Sequence, residues 1–289
     1  MKEQTIKKGL ILAGGLGTRF LPWTAGASKT MLPLVDKPTI AHIVDEFILS
    51  GITNIMIIVG HSKDNIINYF NYHLPDINKS HNEYCKQHKL NFSPISISFI
   101  VQKKLCGTAN AVLVAEKFIK ADDFVVACGD EIFINTPTAI TQMLNLYQKH
   151  HCPVIASRLL TKKEATRFGV LITKYITPKL SRLENINEKP PIEKIQSPLV
   201  NLGRYILTNN IFDYLHILQP NKNGEFALTD AIAKMAQEEQ VLCYNFKGLH
   251  YDIGNKTGYS KAFIDFALSH PQTKNDINDY ILKKIKTNI

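Results

Sequence analysis

Two cations follow a glycine-rich turn near the start of the sequence, and their spacing raises the first chemical question. The stretch LILAGGLGTRFLPWTAGASKTMLP, Leu10 to Pro33, runs from apolar residues through Gly14, Gly15 and Gly17 to Arg19, and then on to Lys29. It does not satisfy the dinucleotide-binding pattern G-x-G-x-x-G or the P-loop pattern G-x-x-x-x-G-K-[ST]. Glycines let backbone N–H groups approach a polyphosphate, while a guanidinium and an ammonium neutralise it. A single dinucleotide pyrophosphate does not need both cations; a pyrophosphate that departs during a reaction does. The glycines alone suit a plain structural turn equally well, but together with Arg19 and Lys29 they favour a phosphate site.

Other residues of chemical interest are less specific. Asp130, in VVACGDEI, follows an apolar strand and a glycine, at the carboxyl edge where open α/β sheets bind ligands, although Gly-Asp is also an ordinary turn dipeptide. Gln102 at a strand end and the tetrad around Glu188 and Lys189 in NEKPP read, by themselves, as a solvated terminus and a charged turn. The five cysteines have no C-x-x-C spacing and the ten histidines no H-E-x-x-H, so neither a disulfide framework nor a zinc site is expected. The formal net charge of +9 admits nucleic acid, an anionic surface or small multiply charged substrates. The basic residues are spread along the chain without a basic-aromatic ribbon, and the tail ILKKIKTNI reads as a solvated helix face, so no nucleic-acid partner is expected. No apolar stretch approaches the roughly 20 residues of a membrane span, and the N-terminal region does not read as a secretory signal. A cytoplasmic protein without a membrane partner is the expectation.

These residues need a scaffold, and the first half of the chain alternates strand and helix patterns. KGLILAG, NIMIIVG, SISFIVQ and DFVVACGD read as strands. Between them, DKPTIAHIVDEFILSG reads as a helix with Pro38 near its first turn and Gly51 as its stop; SKDNIINYFN, with Ser62 as N-cap, and TANAVLVAEKFI read as two more. The polar segment from Asn71 to Pro94 reads as an excursion from the sheet. Beyond a helix starting near Thr136 and Pro137, strands are expected at CPVIASRLL, FGVLIT, VNLGRYILT and VLCYNFKG. Helices are expected at TDAIAKMAQEEQ, KTGYSKAFIDFALSH and the C-terminal segment. The alternation predicts an α/β fold with a largely parallel sheet covered on both faces. No linker or repeat divides it, so one domain is expected over 1–289, with two functional lobes (1–135 and 136–260) and a helical tail (261–289).

The pattern G-x-G-T-R with a lysine further on resembles the signature of the sugar-1-phosphate nucleotidyltransferases. MLPLVDKPTIAHIVDE, NLGRYILT, GEFALTDAI and NFKGLHYDIGNKTGY extend the resemblance over nearly the whole chain, and look most like the bacterial uridylyltransferase branch. The resemblance implies a Rossmann-like three-layer α/β/α fold around a mixed, mostly parallel sheet. It also implies transfer of a uridylyl group from UTP to glucose 1-phosphate with Mg2+, in a homodimer or homotetramer. By position it implies that Ala13, Gly14, Gly15, Gly17, Thr18, Arg19 and Lys29 hold the triphosphate. Gln102 and Gly107 in VQKKLCGTANAV would read the uracil, the amide supplying a donor and an acceptor. Asp130 and Asp252 would ligate the metal, while Phe168, Gly169, Glu188, Lys189 and Gly203 would meet the sugar phosphate.

The chain departs from the family pattern where Thr30 follows Lys29, where Phe168 replaces a tyrosine, and in CGTANA and CGDE, with Cys106 and Cys128 expected as inert packing. The implied reaction needs no general base, because the attacking phosphate is already an anion; Arg19 and Lys29 would stabilise the leaving pyrophosphate and Lys189 would position the sugar phosphate. The thymidylyltransferase branch remains open, since thymine presents the same edge to Gln102 and Gly107, and the long polar segment after Asn71 favours the uridylyl branch. A catalytically silent sugar-nucleotide sensor is opposed by the intact charged residues, and a nicotinamide oxidoreductase by the failed G-x-G-x-x-G.

Overall fold

A computed structural model describes residues 6–61, 63–222 and 224–287. The first four strands of the central sheet are β1 (Lys8–Ala13), β4 (Asn54–Val59), β5 (Ser96–Val101) and β6 (Phe124–Cys128); β2 (Pro33–Leu34) and β3 (Lys37–Pro38) form a small separate ladder. β1 pairs in parallel with both β4 and β6, and β4 with β5. The next part of the chain adds β7 (Glu131–Ile134), β8 (Val154–Leu159), β9 (Gly169–Thr177), β10 (Leu180–Glu188), β11 (Leu199–Leu207), β12 (Leu242–Asn245) and β13 (Leu249–Asp252). Nine strands make one mixed sheet in the order β5-β4-β1-β6-β11-β8-β12-β10-β9, and β7 with β13 form a two-stranded ribbon beside it.

Strand residues alternate between two cores, as the pleat requires. Ile11, Ile57, Val125 and Ile206 face one layer, with α1 (Thr39–Leu49), α2 (Asp64–Gln87), α5 (Ala139–His150) and α9 (Lys256–Ser269) packed over it. Leu10, Ile58, Val126 and Leu207 face the other, covered by α3 (Thr108–Leu113), α4 (Glu116–Ile119), α7 (Ile211–His216) and α8 (Leu228–Glu238). The result is the three-layer α/β/α arrangement. α6 (Lys162–Ala165) precedes β9, and α10 (Lys274–Thr287) follows α9 with no buried residue. Among the described residues no helix is long and apolar enough to cross a membrane.

In α1 the predicted stripe is buried at Ile40, Ile43, Val44 and Phe47, and Gly51 follows the helix at φ 79°. Three sequence expectations are corrected. The polar segment after Asn71 is not an excursion: it continues α2 to Gln87, with Pro75 inside the helix. A sparse apolar stripe, Ile66, Phe70, Leu74, Ile77 and Cys85, keeps helical period through it, and Asn78 ties the helix to the strand side by bonding the Ile95 N–H at 2.7 Å and C=O at 3.1 Å. Ser62 lies outside the described residues. TANAVLVAEKFI forms two helices, α3 and α4, where the Ala115 N–H bonds back three residues to Val112. The cap of α5 is Thr138, whose hydroxyl accepts from Thr141 N at 3.0 Å, two residues beyond the expected start. β7, β10, β13 and α7 were not anticipated. In β10 a register shift between Leu183 and Asn185 interrupts the alternation that marks a strand in sequence.

Candidate functional site

The parallel strands β1, β5 and β6 end at one edge of the sheet, and there the chain releases Ala13, Gln102 and Asp130. After Ala13, Gly14 to Gly17 form the turn; Thr18 and Arg19 open one short 3-10 turn, Thr18–Phe20, and Lys29 opens another, Lys29–Met31. The turn folds back on itself: Thr24 Oγ1 donates to Gly17 O at 2.9 Å. A β-carbon on Gly15 would lie 3.4 Å from Lys29 Nζ, so the lysine lies along the glycine turn.

Lys29 Nζ donates to Asp130 Oδ2 in an ion pair. The β7–β13 ribbon, which places Asp252 opposite Glu131, brings Asp252 to the same place from far along the chain. Asp252 Oδ1 accepts from Gly254 N at 3.0 Å, and Oδ2 accepts from Asn255 Nδ2 at 3.0 Å and from Arg167 Nη2. Arg19 Nη1 donates to Gly254 O at 3.3 Å. A β-carbon on Gly254 would sit 2.7 Å from Asp130 Oδ2 and 3.0 Å from Asp252 Oδ1, so glycine is what leaves the two carboxylates facing common space. This pair suits Mg2+, a hard cation that takes one or two protein carboxylates and fills its remaining positions with water and phosphate oxygens. No cluster of three or more His, Cys, Asp or Glu suited to a metal occurs among the described residues.

Burial pushes the Asp130 carboxyl up, but the bonded Lys29 ammonium, with help from Arg19, outweighs burial and holds it below the ordinary 3.8. A carboxylate depressed in the fold adds stability that is complete above its unfolded value and is lost as pH falls through its folded value. Asp130→Asn is therefore expected to flatten the fall of stability below pH 3.8, which urea unfolding at a series of pH values measures.

Gln102 is buried, and its Nε2 donates to Gly107 O and to Asn110 Oδ1, both at 3.0 Å. The amide therefore does not offer the base both a donor and an acceptor, as the sequence alone suggests; its donor is committed within the protein. Gly107 sits at φ 118°, where a β-carbon would come within 2.3 Å of Phe226 O. Gly107→Ala is expected to displace the 102–110 segment, raising KM for the nucleotide about tenfold and costing about 1–3 kcal/mol of stability. Steady-state kinetics and urea unfolding check the two effects.

On the other side, β9 and β10 place Gly169 opposite Glu188. Lys189 leaves β10 at φ 43°, its N–H donates to Phe168 O at 3.1 Å, and its exposed ammonium lies 3.3 Å from Glu188 Oε1. Thr229 Oγ1 donates to Glu188 Oε2 at 3.3 Å. Phe168, Gly169, Glu188 and Lys189 are thus one group. Gly203 lies on β11, next to the Asp130 turn. It is buried there, with a β-carbon position 2.5 Å from Cys128 Cβ, and its N–H donates to Glu131 Oε2 at 3.0 Å.

Sequence reasoning missed two features of this centre. Arg167, half exposed, pairs with Asp252 and lies 5.9 Å from the Phe168 ring; its place next to Phe168 was the one available signal. Arg204 is fully buried and pairs with Glu46 of α1, Nε and Nη2 donating to Oε2 at 3.0 and 2.9 Å. Its remaining N–H groups reach Cys128 O at 3.3 Å, Gly203 O at 2.9 Å and Glu131 O at 2.9 Å. One guanidinium therefore grips the backbone on both sides of Gly129 and Asp130. Nothing in the local sequence pairs two residues 158 positions apart.

Residues 8–268 match the sequence profile of the family described as nucleotidyl transferase. The chain belongs to that family. Among relatives of this nucleotidyltransferase is the UTP–glucose-1-phosphate uridylyltransferase of Streptococcus pyogenes, 38% identical, the alignment covering 96% of this chain and 94% of that protein. Among solved structures, a UDP-glucose pyrophosphorylase complexed with UDP-glucose superposes with a TM-score of 0.82 at 33% identity, covering 91% of this chain and 98% of that one. A UTP-bound UGPase from Acinetobacter baumannii superposes with a TM-score of 0.81 at 28% identity, covering 96% of this chain and 99% of that one. The fold expected from sequence is thus the fold of the nucleotidyltransferases.

Proposed function

We propose that the chain transfers the uridylyl group of UTP to glucose 1-phosphate, giving UDP-glucose and pyrophosphate. The names of the similar proteins support the substrates, and one observation in this chain supports the chemistry: Lys29 and Arg19 converge with Asp130 and Asp252 around Gly254, at the end of the glycine turn. A phosphate oxygen of glucose 1-phosphate attacks the α-phosphorus of UTP in line; the new P–O bond forms as the bond to the β-phosphate oxygen breaks. The electron pair leaves with pyrophosphate, and no proton transfer is required.

Backbone N–H groups of the 14–18 turn hold the triphosphate, and Lys29 and Arg19 take up the charge that develops on the departing group. Asp130 and Asp252 would hold Mg2+, which supplies further neutralisation of the reacting phosphates. Lys189, exposed beside Glu188, meets the sugar phosphate, while Glu188 and the Gly169 backbone meet the sugar. Bringing two polyanions together is the main obstacle, so orientation and charge, rather than a general base, lower the barrier.

We place this activity in the cytoplasm and in a homodimer or homotetramer; the exposed apolar residues Phe263, Ile264, Tyr280, Leu282 and Ile285 of α9 and α10 are the surface such an assembly would cover. The deciding experiment mixes the chain with Mg2+, a panel of sugar 1-phosphates and each nucleoside triphosphate, and measures pyrophosphate release. Release with UTP and glucose 1-phosphate is expected. Release with dTTP but none with UTP would place the chain in the thymidylyl branch instead.

A further inference from the structure

We infer that Asn110 is a positioning residue for base selection: it holds the Gln102 carboxamide so that only its oxygen is offered to the nucleobase. This rests on the uridylyltransferase reading above and concerns how that site refuses cytosine.

The orientation of the Gln102 amide is decided by its neighbours. The Gly107 main-chain oxygen 3.0 Å away can only accept, so the atom facing it is the NH2 group, and the second N–H of that group is met by Asn110 Oδ1 at 3.0 Å. Turning the amide over would set its oxygen against Gly107 O, which can only accept, and against Asn110 Oδ1 unless the Asn110 amide turned with it. Both amide hydrogens are therefore spent within the protein. Oε1 has no donor among the described residues and lies over the glycine turn, 2.9 Å from where a β-carbon on Gly14 would be. Gln102 is only 4% exposed, so water is not a ready substitute partner for its amide.

An acceptor fixed in this way matches the N3–H that uracil and thymine carry on their Watson–Crick edge. Cytosine has a bare N3 there, and its lone pair would face Oε1. In a buried site two opposed acceptors cost more than a missing bond, because neither can turn to water. Discrimination between UTP and CTP then depends on the amide not flipping, and Asn110 is the side chain that opposes the flip. Gly107 O adds the main-chain part of the restraint.

The test measures kcat/KM for UTP and for CTP, with glucose 1-phosphate and Mg2+, in the full chain and in Asn110→Leu, Asn110→Ala and Asn110→Asp. Asn110→Leu and Asn110→Ala are expected to lower the UTP to CTP ratio about five- to tenfold, the value of one hydrogen bond, with kcat/KM for CTP rising in absolute terms. Asn110→Asp retains an acceptor and is expected to keep the ratio. Loss of packing alone would lower both nucleotides together, so an unchanged ratio in the folded Leu and Ala variants overturns the inference. Wild-type chain that prefers a purine triphosphate overturns the uridylyltransferase reading itself, and is seen before any variant is made. Equilibrium binding of UTP and CTP by calorimetry is expected to show the same change in ratio without turnover.

Discussion

Lys29→Met is expected to lower kcat about 10²–10³-fold while leaving KM for UTP within a few fold. The ammonium lies along the glycine turn and on Asp130, where charge must be met as pyrophosphate leaves. A donor aimed at charge that appears only in the transition state affects kcat far more than substrate binding, and deleting one such group typically costs that much. Lys29→Arg keeps the charge but not the compact point geometry, and is expected to restore only part of the loss. Steady-state kinetics with saturating glucose 1-phosphate separates the cases; a rise in KM with unchanged kcat would show that Lys29 serves ground-state binding alone.

The second large effect is on stability. Glu46→Leu is expected to cost about 3–5 kcal/mol in urea unfolding, because it leaves the fully buried Arg204 guanidinium without its counter-charge. Three carbonyl oxygens and the Phe133 ring, 4.4 Å from the guanidinium carbon, would remain around it, and they carry no full negative charge. The double variant Glu46→Leu with Arg204→Met removes both charges and is expected to recover much of that stability. Its kcat is expected to stay low, since the backbone on either side of Asp130 loses its clamp. A double variant no more stable than Glu46→Leu would mean that Arg204 matters for its carbonyl contacts rather than for the ion pair.

The strand-to-turn exits were readable from the sequence because they are local. Gly14, Gln102 and Asp130 each end an apolar run, and three parallel strands suffice to bring them to one edge. The position of Asp252 was readable only by resemblance. Its partner strand β7 is four residues long and joins β13 across more than a hundred residues, which leaves no periodic trace in either segment. α2 was misread because Pro75 and a polar composition mask a helix whose inward stripe is only one residue wide. The orientation of the Gln102 amide depends on a main-chain carbonyl and a side chain from the next helix, and emerges only once the segment has folded.

β11 has a consequence for how the molecule can move. It lies between β6 and β8, antiparallel to both, so the strand that leads to Asp130 and the strands that support the Phe168–Lys189 group belong to one hydrogen-bonded sheet. Such a sheet resists being opened like a book, because parting the two sides would mean parting β11 from β6 or from β8, although the β8 pairing is irregular between Asn201 and Tyr205. Any embrace of the two substrates falls instead to the rim: the glycine turn, the 102–107 segment and the turn around Arg167. Slow exchange of β11 amides beside fast exchange in those three segments is the signature expected in hydrogen exchange.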